Sequence, residues 1–117
     1  MAKHLESGKQ GEQRAAGFLR EQGYTLLAVN WRHRYWEVDI IALDREVLCF
    51  IEVKTRKNTL FGEAATFVDE KKQHNLLQAA EAYLALYQHD GDIRFDIVSV
   101  YSEANKIELI KDAFWSS

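Results

Sequence analysis

The stretch Glu46-Val-Leu-Cys-Phe-Ile-Glu-Val53 constrains the fold of this chain more than any other segment. Alternate residues of a strand face opposite sides, so Leu48, Phe50 and Glu52 fall on one face and Cys49, Ile51 and Val53 on the other. Both faces are apolar, which places the strand centrally in a sheet covered on both sides. Glu52 then sits in buried surroundings, where a charge is costly unless it is paired or metal-bound. Lys54, two residues further on, projects from the same face as Glu52.

The flanking sequence supplies the rest of a mixed sheet. Tyr24 to Trp31 and Tyr35 to Leu43 read as strands, and the links at Arg32–Arg34 and Asp44-Arg45 are short enough for antiparallel turns. Leu76, Leu77, Ala80, Tyr83, Leu84 and Tyr87 form a helical stripe within residues 68–88, after a loop from Thr55 to Ala65. Ile93 to Tyr101 is a further strand, and Lys106 to Ile110 a short last one. A strand, a long helix and another strand make a crossover, so the third and fourth strands are expected to be parallel neighbours. Ser7-Gly-Lys-Gln10 resembles a capping box and Gly23 a helix stop, which predicts a first helix over residues 8–22. Glu12 precedes Ala15, Ala16 and Leu19 by helical intervals and so lies on or beside that helix's apolar stripe. The expected architecture is α/β, in the order α-β-β-β-α-β with a short final strand. Residues 1–117 would form one domain with a core over about 8–101.

Two carboxylates share this setting. Period-2 geometry places Glu37 and Asp39 on one face of the second strand, with Ile40 and Ile41 beside Asp39. Asp39, Glu52 and Glu12 could converge on one point. Such an all-oxygen set suits Mg²⁺ or Mn²⁺ rather than zinc. Cys49 is the sole cysteine, which leaves no intramolecular disulfide and no multi-cysteine zinc site. A divalent ion can polarise a phosphoryl oxygen and acidify a water, and Lys54 could orient that water or offset developing charge. The same Glu-x-Lys spacing also suits an ordinary Lys–carboxylate pair on a solvated sheet face.

As an ordered set, several motifs are specific. Gly11-Glu12-x-x-Ala15, Asn30-x-Arg32, Glu37-Val-Asp39-Ile-Ile-Ala42 and Phe50-Ile-Glu52-Val-Lys54-x-Arg56 resemble the YraN-like family of uncharacterised bacterial proteins. Phe61-Gly62, Lys72-Gln73, Ala80-x-x-Tyr83-Leu84 and Arg94-Phe-Asp96-Ile-Val extend the resemblance over about residues 8–100. That family is similar to restriction-endonuclease-like nucleases of the PD-(D/E)xK superfamily, including archaeal Holliday-junction resolvases. The resemblance implies that Asp39, Glu52 and Lys54 match the catalytic core, with Glu12 as the helix-borne glutamate. It also implies that Lys72 and Gln73 face the site and touch a phosphate or a metal-bound water. Lys72 snorkelling at the core edge is the alternative. One departure stands out. The family usually has glycine just before its Glu-x-Asp, whereas this chain has Tyr35 and Trp36. These aromatics could stack on an unpaired base or pack in a core or subunit contact. Packing is the expectation, because aromatics are common in strands.

Arg32, His33 and Arg34 form a basic cluster, and Arg56 and Lys57 follow the Glu-x-Lys motif; both groups suit contacts with a nucleic-acid backbone or a solvated loop. Arg94 and Asp96 share a strand face and suit a structural ion pair near the site. The net charge of -3 argues against a broad electrostatic grip on nucleic acid. The average hides an asymmetry of +3 over residues 1–34 and -6 over residues 35–117. No apolar run reaches the ~18 residues of a membrane span, and the N-terminus lacks a signal-peptide stretch, so a cytoplasmic protein without a membrane partner is expected. The resulting expectation is a Mg²⁺- or Mn²⁺-dependent nuclease-fold protein acting on DNA, on branched or structured forms. The alternative is a non-catalytic nucleic-acid-binding or protein-assembly module that keeps the fold. A third class is a purely protein-interaction domain, with aromatics such as Trp115 its candidates, and a homodimer is compatible with it.

Overall fold

The computed structural model describes residues 2–57 and 69–114. Phe61-Gly62, much of the predicted loop and Trp115 lie outside the described residues. The elements are α1 (Ala2–Glu21), β1 (Thr25–His33), β2 (Trp36–Asp44), β3 (Val47–Arg56), α2 (Glu70–Leu86), β4 (Ile93–Tyr101) and β5 (Lys106–Ile110). They form a five-stranded sheet in the order β1-β2-β3-β4-β5. β3 and β4 pair in parallel and the other neighbours are antiparallel. This is the expected α/β architecture, consistent with a restriction-endonuclease-like core.

β3 is central and covered on both faces. Cys49 and Ile51 pack with Ala15, Ala16 and Leu19 of α1. Leu48 and Phe50 pack with Leu76, Ala79, Ala80 and Tyr83 of α2. No described helix is long and apolar enough to cross a membrane.

The first helix starts earlier than expected. It runs from Ala2, so Ser7 lies inside it and does not cap it. Alanine, lysine, leucine and glutamate before Ser7 are good helix formers, and no proline stops them. The predicted stop at Gly23 is present. Gly23 takes φ 95°, Tyr24 N–H donates to the Leu19 carbonyl at 2.9 Å, and Gly23 N–H donates to the Arg20 carbonyl at 3.0 Å. This pair of bonds is a Schellman closure. The second helix is capped by Asp69, whose side chain accepts the Lys72 N–H at 2.8 Å.

Arg94 and Asp96 do form an ion pair, but away from the candidate site. Asp96 aligns with Ile51, on the α1 face of the sheet, whereas Glu52 lies on the α2 face. Asp96 is fully buried and receives Arg94 Nε at 2.8 Å, Arg94 Nη2 at 2.8 Å, Tyr24 OH at 3.0 Å and Asp112 N–H at 3.0 Å. Arg94 also reaches Asp44 at 2.9 Å, and Lys111 reaches the same carboxylate at 3.0 Å. Partial burial opposes ionisation of Asp44, but these two cations outweigh it and hold the carboxyl below its usual range. Every charge in this network is answered, so its role is to hold the α1–β1 link, β2, β4 and the segment after β5 together.

Gly11 sets the distance between α1 and β3. A Cβ there would collide with Thr55 Oγ1. The prediction is a sign reversal. Gly11→Ala should destabilise the wild-type background by about 1–3 kcal/mol through overpacking. In a Thr55→Ala background it should instead gain up to about 1 kcal/mol from helix propensity. A double-mutant cycle in urea measures the coupling, and additive effects would remove this role for Gly11.

Candidate functional site

The site forms where two strands part. The β2–β3 ladder runs from Asp44–Val47 to Ile40–Ile51 and ends there. Past that pair the Val53 N–H donates to Asp39 Oδ2 at 2.8 Å. On the other side, the β1–β2 pairing skips both Asn30 and Asp39, and Asn30 takes φ 55°. Asparagine tolerates this left-handed conformation better than most residues. The simple alternation expected for β2 is therefore broken. Val38 joins the cluster beneath α2, whereas Ile40 and Ala42 join the cluster beneath α1.

A cavity of about 320 Å³ opens at this point. Its walls come from the β1–β2 turn (Arg32, Arg34, Tyr35, Trp36), from β2 and β3 (Glu37, Asp39, Glu52) and from the start of α2 (Lys72, Asn75, Leu76). Asp39 and Glu52 are close enough to hydrogen-bond through a shared proton. Burial, then the neighbouring Glu52 carboxylate, push Asp39 up to about 8. Glu52, whose side chain is 12% exposed, also accepts from Lys72 Nζ at 3.1 Å. Partial burial would lower Lys72, but Glu52 outweighs it and raises the ammonium above its ordinary value. Arg32 pairs with Glu37 at 3.2 Å, with both side chains more than half exposed, so that contact contributes little to stability.

The other expected residues lie around this cavity rather than in its walls. Lys54 is half-buried on the Glu52 face of β3; burial, then the nearby Arg56 and Lys72 charges, lower it. Arg56 follows at the end of β3, and Gln73 at the start of α2 donates its N–H to the Asp69 carbonyl. Glu12 approaches from α1. Burial, then the Glu37 charge, raise it, and it in turn contributes to raising Asp39. Glu12 Oε1 is buried without a hydrogen-bond partner. Among the described residues, however, no three His, Cys, Asp or Glu side chains are grouped to hold a metal ion. The convergence therefore consists of a close Asp39–Glu52 pair, with Glu12 within electrostatic reach of it.

An all-oxygen pair of this kind fits Mg²⁺, which keeps several waters and needs only one or two carboxylates plus a substrate phosphate. The two carboxylates repel, and the unpartnered Glu12 oxygen adds a further acceptor. A divalent cation would relieve both costs.

Two residues escape sequence reasoning. Asn75 lines the cavity one turn beyond Lys72; its place on the α2 stripe, beside Leu76, is the signal that could have found it. Asn30 is legible only as part of Asn-x-Arg, and its role is conformational. Of the two aromatics, Trp36 packs against the cluster beneath α2 as expected, but Tyr35 is 93% exposed. The positive φ of the turn falls on Arg34 at 57°, so neither aromatic needs a glycine-like conformation.

Removing the repulsion should stabilise the fold. A carboxyl whose folded value is raised from 3.8 to about 8 favours the native state fully below about pH 4 and loses that contribution as pH climbs through 8. Asp39→Asn keeps an acceptor for Val53 N–H and mimics the protonated acid. It should therefore be more stable than wild type at pH 8 in EDTA by about 1–3 kcal/mol, with the gap closing near pH 4. Urea melts across that range check the trend, and a gap independent of pH contradicts it.

Comparison with known proteins bears on the family. The family model described as Uncharacterised protein family UPF0102 matches residues 11–100. A UPF0102 protein of Chlorobium phaeobacteroides is 49% identical over 116 residues, covering 92% of each chain. One from Bacteroides thetaiotaomicron is 44% identical over 117 residues, covering 98% of this chain and 97% of its own. One from Syntrophus aciditrophicus is 42% identical, covering 97% of this chain and 92% of its own. With most of its length matched by both the family model and these relatives, the chain belongs to the UPF0102, or YraN, family.

Proposed function

We propose that the protein is a Mg²⁺- or Mn²⁺-dependent nuclease that hydrolyses phosphodiester bonds in DNA. The observation that carries this reading is the half-buried, mutually repelling Asp39–Glu52 pair in the walls of a cavity that Arg32, Arg34 and Lys72 also line. Perturbed acids in a cleft are a physical signature of a functional site.

In this reading Asp39 and Glu52 would hold the cation, and Glu12, whose Oε1 has no hydrogen-bond partner, would hold it or a bound water. When bound, the divalent ion polarises a phosphoryl oxygen and lowers the pKa of a water. The residues of the chain then divide the remaining work. The Val53 N–H fixes one Asp39 oxygen, which leaves the other for the cation. Lys54, lowered by burial and by its cationic neighbours, orients the attacking water and offsets charge on the phosphate. Lys72 donates to Glu52, and from the same cavity wall its ammonium would be placed to contact a phosphate oxygen. Arg32, Arg34 and Arg56 contact the backbone, with Gln73 beside Lys72 at the helix start. Branched or otherwise structured DNA is the substrate form of this reading, because a chain with a net charge of -3 has to recognise shape locally rather than grip by overall charge.

A second reading, a non-catalytic nucleic-acid-binding or assembly module, is favoured by one observation: the Lys72–Glu52 salt bridge neutralises a proposed ligand. Cleavage of branched, single-stranded and duplex DNA in Mn²⁺ separates the two. Wild type should cut, whereas Glu52→Gln and Lys54→Met should each lose about 100-fold or more. DNA binding without cleavage would establish the second reading, and equal cleavage by wild type and both variants would assign the activity to a contaminant.

A further inference from the structure

The β1–β2 turn holds four aromatic or heteroaromatic rings in six residues, and all but one are packed. Trp31 meets Tyr83 edge-on at 5.4 Å, and His33 stacks on Trp31 at 6.0 Å with an interplanar angle of 16°. Trp36 packs on the cluster beneath α2. These contacts brace the base of the turn. Tyr35, at its tip, is 93% exposed. A lone exposed aromatic is unremarkable on a protein surface. This one lines the same cavity as Asp39 and Glu52, between Arg34 and Trp36 and near Arg32 and Lys72. A flat ring on a braced turn, lining one cavity with three cations and an acidic pair, has the composition of a single-strand binding surface. There, bases stack on an aromatic while cations follow the backbone.

We infer that Tyr35 is a base-stacking platform, and that the cavity takes an unpaired nucleotide of a single-stranded nucleic acid. This rests on the reading of the cavity as a nucleic-acid site. Paired bases within a duplex are already stacked on their neighbours and offer no free face to the ring, so Tyr35 selects for unpaired segments, including the single-stranded parts of branched molecules. The phenol hydroxyl is not needed for stacking; the ring is.

Fluorescence anisotropy with a short labelled oligothymidylate and with a duplex of mixed sequence, both in EDTA, tests this without requiring a metal or turnover. Tyr35→Ala should weaken binding of the single strand about 5- to 100-fold, Tyr35→Phe should keep wild-type affinity, and duplex affinity should be the same for all three. Because Tyr35 is unpacked, thermal melts should show all three equally folded. A Tyr35→Ala affinity within about twofold of wild type, equal losses for single strand and duplex, or no wild-type binding to the single strand would each overturn the inference. Cleavage in Mn²⁺, measured in parallel, keeps the two readings distinct. Cleavage without any dependence of binding on Tyr35 removes the stacking role alone. Tyr35-dependent binding without cleavage keeps it and removes the nuclease.

Discussion

The hydrogen bond from the Val53 N–H to Asp39 is the contact on which the site's geometry depends. Two antiparallel strands can part only if the backbone groups they would have exchanged find other partners. Here the ladder ends at Ile40–Ile51, and a side chain from β2 takes the place of a backbone acceptor. The separation makes room for the cavity. It also holds a carboxylate where apolar neighbours and Glu52 both disfavour its charge. Asn30, left-handed at the same level of β1, lets the neighbouring strand follow the distortion. One local departure from regular pairing thus creates the opening and the electrostatic cost within it.

The strong periodicities were legible and the departures from them were not. Two apolar faces on Leu48–Val53 placed β3 centrally, and the stripe from Leu76 to Tyr87 placed α2 and hence the parallel β3–β4 pair. Glu52 and Lys54 follow from β3's regular alternation. Asp39 sits where alternation fails, so its residue type was readable but its position was not. Ser7 resembled a cap because that spacing is a local pattern, yet the residues before it favour helix strongly enough to extend α1 through it. Arg94 and Asp96 were rightly paired. Their distance from the site depended on the register that aligns Asp96 with Ile51, which spacing within one strand does not supply. Tyr35 and Trp36 are neighbours of similar chemistry, and only the position of the turn separates a packed ring from an exposed one.

The net charge of -3 is also less decisive once charges are located. The cavity walls carry three cations, Arg32, Arg34 and Lys72, and three acids, Glu37, Asp39 and Glu52. These balance formally, so the cavity lacks the acidic excess of the chain as a whole. Electrostatic attraction of a polyanion is then confined to a short range, because charges beyond a screening length of about 8 Å contribute little at physiological salt. Recognition under that restriction has to draw on shape and on contacts such as ring stacking.

The two buried acid clusters show what separates a structural charge from a reactive one. Asp96 is more deeply enclosed than Asp39 or Glu52, yet four hydrogen bonds and a guanidinium answer it. Removing a partner from such a network costs about 3–5 kcal/mol. Asp39 takes one backbone N–H and then meets another carboxylate. Burial alone therefore does not mark a site, since the more deeply buried acid, Asp96, is the structural one. The distinguishing quantity is the balance of donors against acceptors. Where donors saturate the acid, the charge holds elements together. Where acids face each other, the fold leaves a repulsion that the protonated form of Asp39 relieves. That repulsion sits in the walls of a cavity that Arg32, Arg34 and Lys72 also line.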